Sequence, residues 1–150
     1  MNLDEAASAF REFVAVVKAL RTPITGCPWD LEQTHQTLRR YLTEETAEVL
    51  DAIDRGVDSS LQEELGDLLL QVVLHAQLAA DRGAFSIVEV VKGITAKMVR
   101  RHPHVFAGVQ VSDSAEVVRN WEQIKAAERQ AAETEKQARH LGHGEGETMS

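Results

Sequence analysis

Cysteine is almost absent from the 150-residue chain: Cys27 stands alone, so no intrachain disulfide can form and nothing points to an oxidising compartment. Only three prolines and nine glycines are present, which disfavours a turn-rich β architecture and leaves room for long regular elements. Aromatic residues make up 5% of the chain, and no stretch reaches the ~18–20 uncharged apolar residues of a membrane span. Positive charge is also short. Lys and Arg number 16 against 24 Asp and Glu, a net charge of −8, which argues against a nucleic-acid polymer as partner. A small phosphorylated ligand is not excluded, because a bound cation can invert the local field. The opening "MNLDEAASAF" carries acids where a secretion signal carries bases, so a cytoplasmic location is expected. There is no Gly-rich phosphate loop and no GxSxG nucleophile motif, and Cys27 has no evident activating partner.

What is present is helical periodicity. Phe10, Phe13, Val14, Val17 and Leu20 predict an amphipathic helix over about 3–21, stopped by "RTPITGCPWD". Asp30 or Thr34 is read as the cap of a second helix that ends near Gly56. "SLQE" at Ser60–Glu63 has the form of a capping box and opens a third, apolar almost all round and expected to be the most buried. "SIVE" at Ser86–Glu89 opens a fourth that runs to Pro103, and "DSAE" at Asp113–Glu116 another leading to Trp121 and Ile124. The fold class is therefore all-α, a bundle of four or five helices. Residues 1–125 read as the domain and 126–150 as a charged helical extension with a disordered end over the last ten residues.

The acids are distributed in a telling way. Glu45 and Glu48 form an ExxE pair, and after fifteen intervening residues Glu64 and Asp67 form an ExxD pair. Each pair lies on one helix face, its Cβ atoms ~5–6 Å apart. Two adjacent antiparallel helices would bring four carboxylates together. Charges ~6 Å apart at an effective dielectric near 20 repel by about 3 kcal/mol, so such a group requires protonation or a cation. Oxygen ligands suit Mg²⁺, which shares carboxylates with substrate phosphates. A solvated acidic face is the plainer alternative. A ferritin-like site is less apt, since His75 stands eight residues beyond Asp67 rather than three; it is expected to hydrogen-bond in or beside the core.

"KMVRRHPHVF" supplies positive charge. Lys97, Arg100 and Arg101 favour a helix C-terminus for electrostatic reasons alone, yet Lys97 and Arg101, four apart, could also reach substrate phosphates. His102 and His104 flank Pro103 and read as loop-structuring residues. Trp121 and Lys125 in "WEQIK" suit stacking beside a phosphate contact as well as ordinary packing. Trp29 in "GCPWD" either walls a pocket or pins its loop. Metal-assisted attack by water is the chemistry these residues favour.

Together "GCPWDLEQTHQTL", "EETAEVLDAI", "EELGDLLLQVVLHA", "KMVRRHPHVF" and "WEQIK" resemble the MazG family of nucleoside triphosphate pyrophosphohydrolases, from about Leu20 to Lys125. The resemblance implies an all-α homodimer or dimer of dimers that hydrolyses (d)NTP to (d)NMP and pyrophosphate with Mg²⁺, for which Mn²⁺ can substitute. It implies that Glu45, Glu48, Glu64 and Asp67 hold the metal, that Lys97, Arg101 and Lys125 contact phosphates, and that Trp121 lies near base or sugar. Glu44 would orient or deprotonate the attacking water. Many members carry two such units; this sequence shows one. A nucleotide sensor without hydrolysis, or a helical protein-interaction module, are the rival readings.

Overall fold

The computed structural model describes residues 1–142, and every regular element among them is helical. Seven helices follow in order: α1 (Leu3–Leu20), α2 (Pro28–Glu32), α3 (Arg39–Arg55), α4 (Asp58–Asp81), α5 (Ile87–Arg101), α6 (Pro103–Phe106) and α7 (Ser114–Gly142). Five are long, as the periodicity required; α2 and α6 are single turns opened by prolines at their first positions, where the missing N–H costs nothing. None of the described helices is long and apolar enough to cross a membrane. The chain divides into two compact units, the first Met1–Val91 and the second beginning at Lys92, within α5.

In the first unit α4 is the central element. It packs against both α1 and α3 and supplies six buried residues, among them Val73, Leu74 and Leu78. These meet Val17 of α1 and Leu38, the residue just before α3, to form the core. The expectation that this helix is the most buried therefore holds, because a segment apolar all round is stable only between partners. Gly56 ends α3 in the left-handed conformation (φ 68°), and only Gly56 and Val57 separate α3 from α4. So short a connection makes the two helices antiparallel neighbours.

Some of the capping signals form and others do not. Ser86 and Glu89 form the expected capping box: the Ser86 N–H and Oγ–H both donate to Glu89 Oε2 (2.7 and 2.6 Å), and the Val88 N–H donates to Ser86 Oγ (3.1 Å). Asp113 accepts from the Glu116 N–H at 2.9 Å, as expected of an N-cap. The box at Ser60–Glu63 does not form, since α4 begins at Asp58 and takes Ser60 into its first turn. Neither Asp30 nor Thr34 caps α3. Pro28 nucleates α2 instead, Thr34 and Thr37 bond each other in a turn, and α3 starts at Arg39 behind a buried Leu38. Burial of Leu38 outweighs a polar cap there.

The link from α1 to α2 is held by two features without helical periodicity. Arg21, whose side chain is only 11% exposed, pairs with Asp81 at 2.8 Å and also donates to the Asp30 carbonyl. Gly26 packs so closely that a Cβ would fall 2.4 Å from the Leu20 carbonyl oxygen, so no other residue fits without moving backbone. In the second unit α7 is unbroken from Ser114 to Gly142, two residues into the stretch expected to lack structure. The rest of that stretch, 143–150, lies outside the described residues.

Candidate active site

The hairpin explains the acid spacing. Glu48 lies eight residues before Gly56 and Glu64 eight after; Glu45 lies eleven before and Asp67 eleven after. An antiparallel pair thus sets Glu48 level with Glu64 and Glu45 level with Asp67. Side-chain oxygens of Glu45, Glu64 and Asp67 lie within 4.8 Å of one another. Glu48 stands beside this trio rather than in it, exposed on α3. Its charge is nevertheless felt by both Glu45 and Glu64.

Glu45 and Glu64 are half-buried and Asp67 is exposed. Burial, then the charges of Asp67, Glu64, Glu48 and Glu44, holds the Glu45 carboxyl above its ordinary range. Burial, then Glu48, Asp67 and Glu63, does the same to Glu64, with Arg55 opposing. In both, burial is the larger cause and the neighbouring carboxylates add to it. Glu44 points to solvent and stands 3.9 Å from Arg40, at the edge of an ion pair.

One turn upstream, an open cleft of about 620 Å³ is lined by Trp29, Gln33, Gln36, Arg39, Arg40 and Tyr41. Trp29 meets Tyr41 edge-on at 5.6 Å, and the Arg40 guanidinium lies 4.8 Å over the Tyr41 ring. Trp29 therefore does both things expected of it. It walls a pocket and it pins its loop, accepting at its carbonyl from Gln33 Nε2 at 2.9 Å.

His75 makes the core-edge hydrogen bond expected of it, and its partner, His35, had no signal in the sequence. The Nδ1 atoms lie 2.7 Å apart and the rings are parallel within 3°, with centroids 5.0 Å apart. One ring must donate and the other accept, so two neutral rings hold different tautomers. Both Nε2 atoms are buried without a partner. Burial, then the neighbouring His35, holds the His75 pKa below its ordinary value of 6.5. The sign follows: the unfolded chain takes up a proton on His75 that the folded chain resists. Stability from this group is complete above about 6.5 and is lost as pH falls toward the lowered folded value. Urea midpoints measured from pH 7.5 down to about 5.5 should fall more gently in His75→Gln than in the wild type. Parallel slopes would remove His75 as the cause.

In the second unit the structure groups the basic and aromatic residues differently from the acids. Arg100 Nε lies 2.6 Å from Glu128 Oε1, and Arg101 Nη2 lies 2.9 Å from Glu128 Oε2. Lys125 stands 3.4 Å from Glu122, and Lys97 is half-buried on α5. Trp121 meets the His102 ring edge-on at 5.2 Å, and its Nε1 is buried without a partner. His102 structures the turn after α5 through an Nδ1 contact of 2.6 Å with the Met98 carbonyl, and its ring lies 5.5 Å from that of His104. The arginine pair's acidic partner, Glu128, lies in the stretch set aside as a charged extension; a contact across 27 residues leaves no local trace.

Fold and acid cluster together describe an all-α protein with a carboxylate-lined helical hairpin. The family model for the MazG nucleotide pyrophosphohydrolase domain matches residues 33–106. A Thermotoga maritima protein named nucleoside triphosphate pyrophosphohydrolase/pyrophosphatase MazG is 46% identical over 127 residues, 85% of this chain and 48% of that protein. The Escherichia coli K12 nucleoside triphosphate pyrophosphohydrolase is 50% identical over 116 residues, 77% of this chain and 44% of that one. The crystal structure of a mazG-related protein from Thermotoga maritima superposes with a TM-score of 0.63 at 26% identity, over 77% of this chain and 97% of that chain. The chain belongs to the MazG family. It spans less than half the length of either curated relative.

Proposed function

We propose that this chain hydrolyses nucleoside triphosphates, (d)NTP and water giving (d)NMP and pyrophosphate, with a divalent cation held by Glu45, Glu64 and Asp67 and assisted by Glu48. The observation that carries the reading is the carboxylate trio converging across the α3–α4 hairpin within 4.8 Å. The donor set fits a hard cation: three carboxylates, with oxygens alone as ligands, converge from two helices within 4.8 Å. The raised Glu45 and Glu64 carboxyls agree with this reading: burial first, and then the neighbouring carboxylates, disfavour their charged forms, and a cation would offset both. Mg²⁺ is the first choice and Mn²⁺ its substitute. Such an ion supplies charge neutralisation and polarisation at phosphate oxygens.

The protein's own share is positioning and electrostatics. Lys97, Arg101 and Lys125 bind phosphate oxygens, with Arg100 next to them. Trp121 contacts base or sugar, and Trp29, which walls its own cleft in the first unit, is a further candidate substrate contact. Glu44, exposed beside the trio, orients the attacking water and takes its proton. The bond that breaks joins the α-phosphorus to the bridging oxygen, which leaves on pyrophosphate with the bonding pair. The active species is a homo-oligomer. Leu50, Ile53, Leu65, Leu69 and Val72 on α3 and α4 are all more than 40% exposed in a single chain, and a second copy is the occupant that fits.

Product analysis on a panel of NTPs and dNTPs with Mg²⁺ tests the reaction. Monophosphate and pyrophosphate are expected; diphosphate and phosphate would put the cleavage elsewhere. Tight Mg²⁺-dependent binding without turnover would make the protein a sensor instead. Mg²⁺ alone should also raise the melting temperature, since ligand at ten times its Kd adds about 1.4 kcal/mol by linkage. An unchanged melt at millimolar Mg²⁺, with and without nucleotide, would sink the metal assignment.

A further inference from the structure

Glu128 holds two adjacent arginines at once. One carboxylate oxygen takes Arg100 Nε and the other takes Arg101 Nη2, at 2.6 and 2.9 Å. Glu128 and Arg101 are each about one quarter exposed, so this pair is more sheltered than an ordinary surface ion pair. Its two hydrogen bonds, from Arg101 and then Arg100, hold the Glu128 carboxyl down at about 2. The clamp is therefore charged at any working pH. Arg101 has a further N–H donor, at Nε, that is buried and has no partner. A buried guanidinium donor left unpaired is costly, and an acceptor normally meets it.

We propose that Glu128 is a positioning residue: it fixes the Arg101 guanidinium so that its remaining donors face an anionic phosphate oxygen. This rests on the reading of Arg101 as a phosphate contact. It also moves the end of the functional domain three residues past Lys125, to Glu128, into the part of α7 that the sequence presents as a charged extension. The carboxylate bridges the two arginines, one oxygen to each, and because the guanidinium is planar, the anchor at Arg101 Nη2 restricts the directions of its other donors.

The sign of the effect separates positioning from simple charge. If Glu128 were only a nearby negative charge, neutralising it would strengthen anion binding. If it positions Arg101, Glu128→Gln should weaken binding. In the full-length chain with Mg²⁺, the Kd for tripolyphosphate measured by calorimetry should rise about tenfold in Glu128→Gln. The same substitution should do almost nothing in an Arg101→Ala background, because residues acting as one unit are not additive. Glu128→Asp keeps the charge but withdraws it by one methylene, so an intermediate loss is expected. That variant carries the test if Glu128→Gln does not fold. Unchanged or tighter binding in either variant, or losses that multiply independently with Arg101→Ala, would overturn the assignment. The two readings can fail separately. Nucleotide hydrolysis with normal tripolyphosphate binding in Glu128→Gln removes only the positioning role. Glu128- and Arg101-dependent binding in a wild type that turns over no nucleotide removes only the hydrolase.

Discussion

Glu64→Gln is expected to lower nucleotide turnover by at least about a hundredfold, since even outer partners of a metal site cost 10–100-fold when removed. The same change should leave the metal-free protein as stable as wild type or more so. Glu64 is half-buried, and its carboxyl is raised by burial and by the charge of Glu48 opposite it. An uncharged isostere relieves that repulsion while keeping shape and helix propensity. Activity and apo stability thus move in opposite directions, and the melting increase caused by Mg²⁺ should shrink in the variant. Glu45→Gln and Asp67→Asn should behave alike, because their oxygens complete the same trio, and Glu48→Gln should follow in the same direction. Glu44→Gln differs: the side chain is exposed and near Arg40, so Mg²⁺ stabilisation should persist while turnover falls. Parallel measurement of turnover and of melting with and without Mg²⁺ reads all five. A Glu64→Gln protein retaining half its activity would take the trio out of the chemistry.

Much of this hairpin was legible in the sequence because its information is local. An ExxE and an ExxD placed symmetrically about a helix-ending glycine can only meet if the chain reverses there, and Gly56 does reverse it. The all-α class and the centrality of α4 were equally plain, since periodicity repeats over many residues. Helix starts were less secure. Two capping signals, at Ser86 and Asp113, formed, whereas Ser60 was overtaken by a helix beginning at Asp58, and burial of Leu38 displaced both candidate caps of α3. What escaped were contacts between residues far apart in the chain. His35 meets His75 across 40 positions, Arg21 meets Asp81 across 60, and Arg101 meets Glu128 across 27. None of these residues sits in a pattern that names its partner. The end of α7 reads as a charged helical extension for the same reason.

The largest loss of stability is expected from Leu38→Ala. Leu38 is fully buried, 0% exposed, against Val17, Val73, Leu74 and Leu78 from α1 and α4. It stands at the N-cap of α3, just before Arg39, without any side-chain cap bond, so packing alone fixes where that helix begins. Removing three buried carbons costs about 2–5 kcal/mol when the surroundings cannot collapse, and this site is enclosed by two helices and the start of a third. At roughly 4 °C or more per kcal/mol for a unit of this size, melting should fall by about 10 °C or more. Leu50→Ala makes the contrast. That leucine is 57% exposed in a single chain, so truncation should cost little in a monomer. If its face of α3 is covered by a second copy, the cost returns and depends on protein concentration, because assembly then contributes to stability. Urea midpoints at two concentrations tenfold apart distinguish the cases. Leu38→Ala should be strongly destabilised at both. Leu50→Ala should diverge from wild type as the protein is diluted, and wild-type behaviour at both dilutions would leave that face uncovered.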